Sequence, residues 1–558
     1  MASLHRKVDM PSMTGAQALV RSLAREGVRV VFSLPGTQLM TVLDALYEQS
    51  QIRLVTVRHE QATTYMADGY ARTSGEPGVA MVVPGPGVLN AMAGLGTAYA
   101  VSSPVLLISG QVERAALGQQ RGALHEVHNQ LEVFQPITKW SALVTRAEEL
   151  PGTIHTALYH LKTGRPRPVV LEVPWDVLSD SAEVELLEPE LFPPEGPEEA
   201  QVREAARLLS EARRPLLWAG GGVIAADASQ ELTELAERLR APVITTPEGK
   251  GAIPEDHPLS LGVFYYGHGP GHQLLPEADV VLAVGSRLYF PLQVSWAFQP
   301  YQSLIQVNAD PADIGRTFPA KVGIAADARV ALRAILKELD SRPVRGGWRA
   351  EELAQVKDET LRRLQEMGPQ QMEFLEVLRQ ELAEDAILVG DATLMTYWGH
   401  LAFPVLRPRS YLTTSYFATL GSAFPTALGA KVANPQRQVV AICGDGGFLY
   451  NAQELATAVH QGLSVVALVF NNHAYGSTLH TQQQHFGNRV IGTTLHNPDF
   501  VRLAESFGAL GLRASSPGEL AQALRGALGQ ELPTVIEVPI PILSPVFHIT
   551  PPGVVDGR

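Results

Sequence analysis

The stretch "CGDGGFLYNAQELATAVHQGLSVVALVFNN" occupies residues 443–472 and has the pattern of a strand, a helix and a second strand. One apolar run ends at Asp445, a segment with helical spacing follows, and a second apolar run ends at Asn472. In a right-handed βαβ unit the two parallel strands lie close together, and ligands bind beyond their carboxyl ends. The sequence therefore predicts that the Asp445 and Asn472 side chains lie close together.

The residues around this pair predict a metal site beside a bound anion. A carboxylate and an amide oxygen are hard ligands that suit Mg²⁺, which often completes its octahedron with phosphate oxygens and water. Gly444, Gly446 and Gly447 allow backbone N–H groups to approach an anion. No "GK[ST]" follows these glycines, so the motif is not a P-loop. The alternative is that Asp445 and Asn472 only cap the next elements, but their joint spacing favours Mg²⁺ with a diphosphate.

Short continuous apolar strands alternate with helical segments through most of the chain. This pattern predicts an α/β fold with parallel sheets covered on both faces. Because 558 residues exceed one ordinary core, we predict three doubly wound parallel-sheet domains. They cover residues 11–182, 199–345 and 370–541, and a C-terminal tail covers 542–558. The segment "LLEPELFPPEGPEEA", rich in Pro and Glu, separates the first two.

Composition and charge exclude several classes of protein. The chain is 45% hydrophobic with a net charge of −13, and no dense Lys/Arg cluster predicts a nucleic-acid or anionic membrane surface. The single cysteine, Cys443, allows no internal disulfide, and its apolar neighbours predict buried packing. The uncharged residues 78–111 are broken by "PGPG", which predicts strand, helix and strand instead of a membrane span. Without an apolar signal core at the N-terminus, we expect a cytoplasmic protein.

The motif "GDGGF…NN" resembles the thiamine diphosphate signature. In the first block, "RHEQATTYMADGYAR" and "VVPGPGVLN" resemble the acetolactate synthase-like branch of that superfamily. The likeness covers almost the whole chain, in the order pyrimidine-binding, central and diphosphate-binding domain. It implies thiamine diphosphate and Mg²⁺ as cofactors and small 2-oxo acids or aldehydes as substrates. It also implies a homodimer or homotetramer with each cofactor at a subunit interface.

The resemblance implies which residues hold the cofactor. The metal ligands would be the side chains of Asp445 and Asn472 and the backbone carbonyl of Ala474. The other implied cofactor-binding residues are Pro84, Asn90, Asp391, Ala392, Thr393, Gly444, Gly446, Gly447, Tyr475 and Gly476.

The resemblance also implies two catalytic residues. Glu60 would hydrogen-bond the pyrimidine ring of the cofactor and stabilise its imino tautomer. Leu420 would bend the cofactor into its V shape, which is an orientation effect. His59, next to Glu60, is expected to cap a helix and not to take part in catalysis.

Two parts of the central domain bear on a second cofactor. Synthases of this family usually carry an "FDDR" motif that contacts FAD, and the corresponding residues 285–295 read "GSRLYFPLQVS". The glycines of "AGGGVI" at residues 219–224 lack the full dinucleotide-binding pattern, so we interpret them as structural. We therefore do not expect bound FAD.

The substrate side departs from both known relatives. His125 and Glu126 stand where the synthases have a Phe–Gln pair. They could serve as an acid–base pair or form a hydrogen-bonded rim. Trp175 replaces the synthases' lysine, as in benzaldehyde lyase, but Gln38 stands where that lyase has a histidine. The candidates for substrate selection or proton transfer are Gln38, His125, Glu126, Trp175, Ser477 and His480.

These observations leave several functions open. The leading hypothesis is an acetolactate synthase-like carboligase acting on 2-oxo acids. The close alternatives are a 2-oxo acid decarboxylase and a benzaldehyde lyase-like 2-hydroxy ketone lyase. From other classes, the chain could be a non-catalytic partner subunit or an FAD or NAD oxidoreductase built on the central domain.

Overall fold

A computed structural model describes residues 11–288 and 298–546 of the chain. This part contains three six-stranded sheets and one two-stranded pair. Its backbone divides into two compact units, Met1–Pro193 with one large sheet and Pro194–Arg558 with the other two. All strand pairs in the three large sheets are parallel, which confirms the predicted fold class. The limits of the three domains remain predictions.

The first unit is an α/β sheet with helices on its faces. Its strands are β1 (Ser12–Thr14), β2 (Val30–Ser33), β3 (Arg53–Thr56), β4 (Gly78–Val82), β5 (Val105–Gln111), β6 (Trp140–Leu143), β7 (Val169–Pro174) and β8 (Ser181–Glu183). Its helices are α1 (Gly15–Arg25), α2 (Met40–Tyr47), α3 (Glu60–Ser74), α4 (Pro86–Val101), α5 (Gln130–Phe134), α6 (Leu150–Lys162) and α7 (Trp175–Ser179). The sheet order is β3-β2-β4-β5-β7-β6, and β1 pairs with β8 in an antiparallel ribbon.

The central strands of this sheet are buried along their whole length. Every residue of β4, β5 and β7 is buried, which explains why these strands read as continuous apolar runs. Residues 78–111 form β4, α4 and β5, as predicted. Among the described residues, no helix combines the length and the apolar character needed to cross a membrane.

The first sheet of the second unit follows the proline-rich segment. Its strands are β9 (Pro215–Ala219), β10 (Val243–Thr245), β11 (Ser260–Val263), β12 (Val280–Val284), β13 (Ser303–Asn308) and β14 (Val322–Ala325), in the order β11-β10-β9-β12-β13-β14. Its helices are α8 (Glu199–Glu211), α9 (Gly221–Ala225), α10 (Ser229–Leu239), α11 (Gly271–Leu274) and α12 (Ala328–Leu339). The charged connecting stretch forms α13 (Ala350–Met367) and α14 (Pro369–Glu381).

The last sheet contains the strand ends that carry Asp445 and Asn472. Its strands are β15 (Ile387–Gly390), β16 (Tyr411–Leu412), β17 (Val439–Gly444), β18 (Val466–Asn471), β19 (Leu510–Arg513) and β20 (Thr534–Pro539). Its helices are α15 (Leu394–Ala402), α16 (Ala423–Ala433), α17 (Asp445–Phe448), α18 (Leu455–Gln461), α19 (Gly476–His485), α20 (Phe500–Ser506) and α21 (Pro517–Leu528). The sheet order is β16-β15-β17-β18-β20-β19.

The crossover between β17 and β18 differs from the predicted single helix. The chain forms the short helix α17 at once after β17, then a 3₁₀ turn at Ala452–Glu454, and then α18. Cys443 is buried at the end of β17, which confirms its packing role. Burial raises the pKa of its thiol well above the usual value.

Candidate functional site

The carboxyl ends of β17 and β18 lie side by side. Gly444 pairs with Phe470 in the parallel register, so Asp445 continues beside Asn471, and Asn472 follows one residue later. The Asp445 side chain is almost fully buried. The structure therefore places the acidic residue and the amide residue of the motif at neighbouring strand ends.

The Asp445 carboxylate receives a hydrogen bond from a residue that sequence reasoning missed. Asn497 Nδ2 lies 2.6 Å from Asp445 Oδ2 and 2.9 Å from Asn471 Oδ1, and it donates to both. Burial raises the pKa of Asp445, while the hydrogen bond from Asn497 acts in the opposite direction. A cation beside this carboxylate would offset the cost of burying its charge. Asn497 lies in an irregular loop, and only the short polar segment "HNPD" marks it in the sequence.

The segment after β18 supplies further oxygen donors. Asn472 Oδ1 accepts a hydrogen bond from the Ala474 backbone N–H at 3.2 Å, and the N–H of Tyr475 donates to the Thr493 carbonyl at 2.9 Å. A Cβ atom on Gly476 would lie 2.7 Å from Asn472 Nδ2. The Asn472 amide oxygen and the Ala474 carbonyl are, like the Asp445 carboxylate, oxygen donors of the chemical kind that suits Mg²⁺.

Gly446 and Gly447 lie at the same strand end, and we call this pair the glycine floor. A Cβ atom on Gly446 would lie 2.6 Å from Tyr475 Cε1, and one on Gly447 would lie 2.3 Å from Asp391 Oδ2. These distances are shorter than real Cβ contacts, so a side chain at either position would force Tyr475 or Asp391 to move. The chain therefore presents bare backbone here, and backbone N–H groups suit an anion such as a diphosphate.

Asp391, which follows β15, holds the neighbouring loops. Its carboxylate accepts hydrogen bonds from the N–H of Gly421 at 2.9 Å and of Ala392 at 3.1 Å. Burial raises the pKa of Asp391 to about 6, against the lowering effect of these hydrogen bonds. A Cβ atom on Gly444 would lie 3.1 Å from Thr393 Oγ1, so the ends of β15 and β17 are in close contact.

Leu420 lies in the turn before α16 and is half-buried. Gly421 follows it with φ of 78°, and a Cβ atom there would lie 2.3 Å from the Cβ of Tyr450. Asn451 Nδ2 donates to the Gly421 carbonyl at 2.7 Å. These contacts fix the backbone that carries Leu420, next to the Asp391 carboxylate.

In the first unit, Glu60 is the first residue of α3 and is only 9% exposed. Asn90 on α4 donates from Nδ2 to Glu60 Oε2 at 3.0 Å. Asn90 therefore orients the Glu60 carboxyl group. His59 Nδ1 accepts a hydrogen bond from the Gln61 N–H at the start of α3, which confirms its predicted capping role.

Pro84 and Gln38 lie together in the same unit. A Cβ atom on Gly110 would be 3.1 Å from Pro84 Cδ and 3.2 Å from Gln38 Cβ. Gln38 is 4% exposed and donates from Nε2 to the Leu124 carbonyl. Its Oε1 is buried and has no hydrogen-bond partner within the described residues. A buried acceptor without a partner suits a donor group of a ligand.

Glu126 fixes the loop that precedes it. Its carboxylate accepts hydrogen bonds from the N–H groups of Gln120 at 2.8 Å, Gly122 at 2.7 Å and Ala123 at 3.1 Å. Desolvation acts to raise the pKa of Glu126, but these hydrogen bonds bring it below its usual value. His125 beside it has φ of 68°. The geometry favours a hydrogen-bonded rim over an acid–base pair.

The other three substrate candidates lie on two helices. Trp175 begins α7 after the end of β7, and its Nε1 donates to Glu113 Oε2 at 3.1 Å. Ser477 and His480 both lie on α19 in the second unit, where Ser477 is exposed and His480 is partly buried.

A buried polar cluster in the first unit was not predicted. Gln130 accepts a hydrogen bond from the Gly85 N–H at 2.7 Å and donates to Glu172 at 2.9 Å. Gln111 donates to the other oxygen of Glu172 at 3.1 Å, and burial raises the pKa of Glu172. This cluster fixes the "PGPG" loop before α4. The isolated Gln and Glu residues gave no periodic signal in the sequence.

The central glycines have a structural explanation. The Gly222 N–H donates to the Gly285 carbonyl at 3.0 Å, and a Cβ atom on Gly222 would lie 2.6 Å from Gly285 Cα. Two backbone segments thus come closer than side chains would allow, which agrees with our interpretation of "AGGGVI". Residues 289–295 of the stretch that replaces "FDDR" lie outside the described residues.

Family models match three parts of this chain. The thiamine pyrophosphate enzyme N-terminal TPP binding domain matches residues 13–133, the central domain matches 202–335, and the C-terminal TPP binding domain matches 391–538. The chain belongs to the thiamine pyrophosphate enzyme family. The matched C-terminal domain contains the oxygen donors and the glycine floor, and the matched N-terminal domain contains Glu60 and Asn90. The family match therefore supports thiamine diphosphate as the cofactor.

Full-length relatives place the chain in the acetolactate synthase-like branch. A probable acetolactate synthase large subunit of Methanocaldococcus jannaschii is 37% identical over 97% of this chain and 94% of the relative. The acetolactate synthase isozyme 3 large subunit of Escherichia coli is 33% identical over 93% of each chain. A probable 2-ketoarginine decarboxylase of Pseudomonas aeruginosa is 38% identical over 94% of each chain. Relatives named as synthases and as a decarboxylase are thus about equally similar.

Proposed function

We propose that the protein is a thiamine diphosphate- and Mg²⁺-dependent carboligase that acts on 2-oxo acids, as acetolactate synthases do. The observation that carries the proposal is the set of oxygen donors around Asp445 directly beside a glycine floor. The family assignment supplies the cofactor, and the donor chemistry supplies the choice of a hard divalent cation.

The proposed binding roles follow from the donor atoms. The Asp445 carboxylate, the Asn472 amide oxygen and the Ala474 carbonyl would hold Mg²⁺. Tyr475 and the glycines at 444, 446, 447 and 476 would line the diphosphate, with residues 391–393 opposite. The carboxylate, amide and carbonyl groups would offer oxygens to the cation, and the glycines would let the backbone approach the anion.

The proposed catalytic roles belong to Glu60 and Leu420. When bound, thiamine diphosphate supplies the reactive carbon and the electron sink for bonds beside a carbonyl group. Glu60 would exchange a proton with the pyrimidine ring, and Asn90 would keep the Glu60 carboxyl group pointed at it. Leu420 would hold the bent shape of the cofactor, with its turn fixed through Gly421.

The proposed substrate side consists of five of the six substrate candidates. Gln38 offers a buried acceptor, and His125 lies on the loop that Glu126 fixes. Trp175, Ser477 and His480 complete the set of positions proposed to select the substrate or move protons. We do not assign an acid–base role to Glu126, because its carboxylate is occupied by three backbone N–H groups.

A substrate screen tests the proposal. The protein is incubated with thiamine diphosphate, Mg²⁺ and single 2-oxo acids: pyruvate, 2-oxobutyrate, benzoylformate and 2-ketoarginine. Products are identified by mass spectrometry. Acetolactate from pyruvate, absent in an Asp445→Ala control, is the expected result. No ligated product from any 2-oxo acid, alone or with an added aldehyde, would contradict the proposal.

A 2-oxo acid decarboxylase is the second candidate. It is favoured by the decarboxylase among the relatives and by the replacement of the synthases' substrate residues with His125 and Trp175. In the same screen, a decarboxylase releases CO₂ and a free aldehyde without a ligated product. A non-catalytic partner subunit would bind the cofactor without exchanging its C2 proton for deuterium.

Three further properties are proposed, the assembly on family grounds and the other two from the sequence. The protein would act in the cytoplasm as a homodimer or homotetramer with the cofactor at a subunit interface, and it would not carry FAD. Light scattering coupled to size-exclusion chromatography measures whether the protein is a homodimer or a homotetramer. A yellow purified protein with a flavin spectrum would contradict the absence of FAD.

A further inference from the structure

We propose that Asn497 is a positioning residue that holds the Asp445 carboxylate in the orientation needed by a divalent cation. We further infer that Asn471, Glu537 and Arg513 fix the direction in which Asn497 donates. This inference rests on the metal-binding role of Asp445 in the proposed function.

The geometry forms one unbroken chain of hydrogen bonds. Arg513 donates from Nε at 3.0 Å and Nη2 at 2.8 Å to Glu537 Oε2. Asn471 Nδ2 donates to Glu537 Oε1 at 2.8 Å. The chain continues through Asn471 Oδ1 to Asn497 Nδ2, and from there to Asp445 Oδ2. Four side-chain contacts thus join a partly exposed arginine to a buried carboxylate.

The polarity of this chain follows from its end groups. Arg513 only donates, so the Glu537 carboxylate accepts from it, and it accepts from Asn471 as well. Asn471 must therefore turn its NH₂ group toward Glu537 and its oxygen toward Asn497. Asn497 in turn must present its NH₂ group, which has two hydrogens for its two acceptors. The Asp445 carboxylate is then met by a donor, never by the amide oxygen.

Three neighbouring strands build this chain. Arg513 ends β19 and pairs in register with Glu537 on β20, and Asn471 ends β18. Asn471, Glu537 and Asp445 are all buried. Because buried hydrogen bonds in rigid strands leave little freedom, the amide of Asn497 is held from two sides.

The loop that carries Asn497 is tied down on its other side. Asp499, two residues later, accepts hydrogen bonds from the N–H groups of Val501 and Arg502 at the start of α20. It also pairs with Arg513 at 3.2 Å. Arg513 therefore acts on Asn497 through the amide chain and through the loop backbone.

The consequence for Asp445 is a fixed carboxylate orientation. Asn497 uses one lone pair of Oδ2, and this contact fixes the direction in which the carboxylate presents its remaining lone pairs. Mg²⁺ demands near-ideal octahedral geometry, whereas Ca²⁺ accepts irregular geometry. Loss of the Asn497 donor should therefore weaken Mg²⁺ binding more than Ca²⁺ binding. A general loss of stability would weaken both equally.

The experiment titrates Mg²⁺ and Ca²⁺ separately into the protein in saturating thiamine diphosphate, by calorimetry. Asn497→Ala should raise the dissociation constant for Mg²⁺ about 10- to 100-fold, as loss of an outer hydrogen-bond partner commonly does, with a smaller rise for Ca²⁺. His496→Ala, an exposed neighbour on the same loop, should match the wild type. A Mg²⁺ affinity within twofold of wild type for Asn497→Ala, or equal losses for both cations, would overturn the inference.

Two further variants keep the result decisive. If circular dichroism shows that Asn497→Ala does not fold, Asn497→Ser is measured by the same titrations and judged by the same criteria. Asp445→Ala distinguishes a failure of the proposed function from a failure of the inference about Asn497. If Asp445→Ala binds Mg²⁺ like the wild type, the proposed function fails and the inference with it. If Asp445→Ala loses Mg²⁺ while Asn497→Ala keeps it, only the inference fails.

Discussion

Replacing Gly447 with alanine should damage the glycine floor in a measurable way. The new Cβ atom would lie 2.3 Å from Asp391 Oδ2 and 3.3 Å from Asp391 Cγ. The carboxylate cannot swing aside freely, because it is buried and accepts the Gly421 N–H at 2.9 Å. Overpacking of this kind costs about 1–3 kcal/mol, and loss of the Gly421 hydrogen bond adds about 1–3 kcal/mol. We expect a total loss of about 2–6 kcal/mol in the free energy of unfolding.

Urea unfolding of the cofactor-free protein, followed by circular dichroism, measures this cost. The matched control is Gly526→Ala in α21, where a Cβ atom meets nothing within 4 Å. Because glycine in a helix is less favourable than alanine by up to about 1 kcal/mol, the control should be neutral or stabilising. The same Gly447→Ala protein should also bind thiamine diphosphate more weakly. A Gly447→Ala variant as stable as the wild type would refute the reasoning.

Three other substitutions test the remaining groups. Glu60→Gln should lower turnover by orders of magnitude with little change in cofactor affinity, and unchanged turnover would remove Glu60 from the mechanism. The pKa of Asp391 is about 6 in the folded protein and about 3.9 in an unfolded chain. The protonated side chain therefore stabilises the fold at low pH, and this contribution is lost as pH rises from about 4 to 6. The free energy of unfolding of Asp391→Asn, measured in urea, should therefore rise by about 2–3 kcal/mol relative to that of the wild type between pH 4 and pH 7. A difference between the two proteins that does not change with pH would contradict this. Glu126→Ala should release its loop, so that trypsin cleaves after Arg121 faster than in the wild type, while equal cleavage rates would count against the anchoring role.

The central strands of each sheet were predictable, but most edge strands were not. The strands β6, β11, β14, β16 and β19 all lie at sheet edges, and none of them reads as one of the continuous apolar runs from which the sheets were predicted. An edge strand is covered less completely than a central one, so its residues need not be continuously apolar. β6 and β19 contain no fully buried residue. The antiparallel pair of β1 and β8 was missed because each strand has only three residues.

The crossover after β17 shows how tertiary contacts override local propensity. The residues "DGGF" contain two poor helix formers, yet they form α17 directly after the strand. Gly446 lies against Tyr475 and Gly447 lies against Asp391, so glycine at both positions allows close packing against residues that are distant in sequence. No property of the local sequence reports on those distant neighbours.

Within the site, local motifs were predictable and long-range partners were not. The positions of Asp445 and Asn472 at paired strand ends followed from the strand–helix–strand pattern. Asn497 lies 52 residues from Asp445 in sequence, in a loop without periodicity, so nothing marked it as a partner. The contact between Glu60 and Asn90 likewise depends on the packing of α3 against α4. Glu126 was left open because its role depends on where the loop backbone directs its N–H groups.

A crystal structure of the protein grown with thiamine diphosphate and Mn²⁺ tests the central claim most directly. Mn²⁺ stands in for Mg²⁺ and is located by its anomalous signal. The account predicts the metal at about 2.0–2.3 Å from an oxygen of Asp445, from Asn472 Oδ1 and from the Ala474 carbonyl, with the diphosphate against the glycine floor. A bound cofactor whose metal and diphosphate lie away from these three oxygens would contradict it.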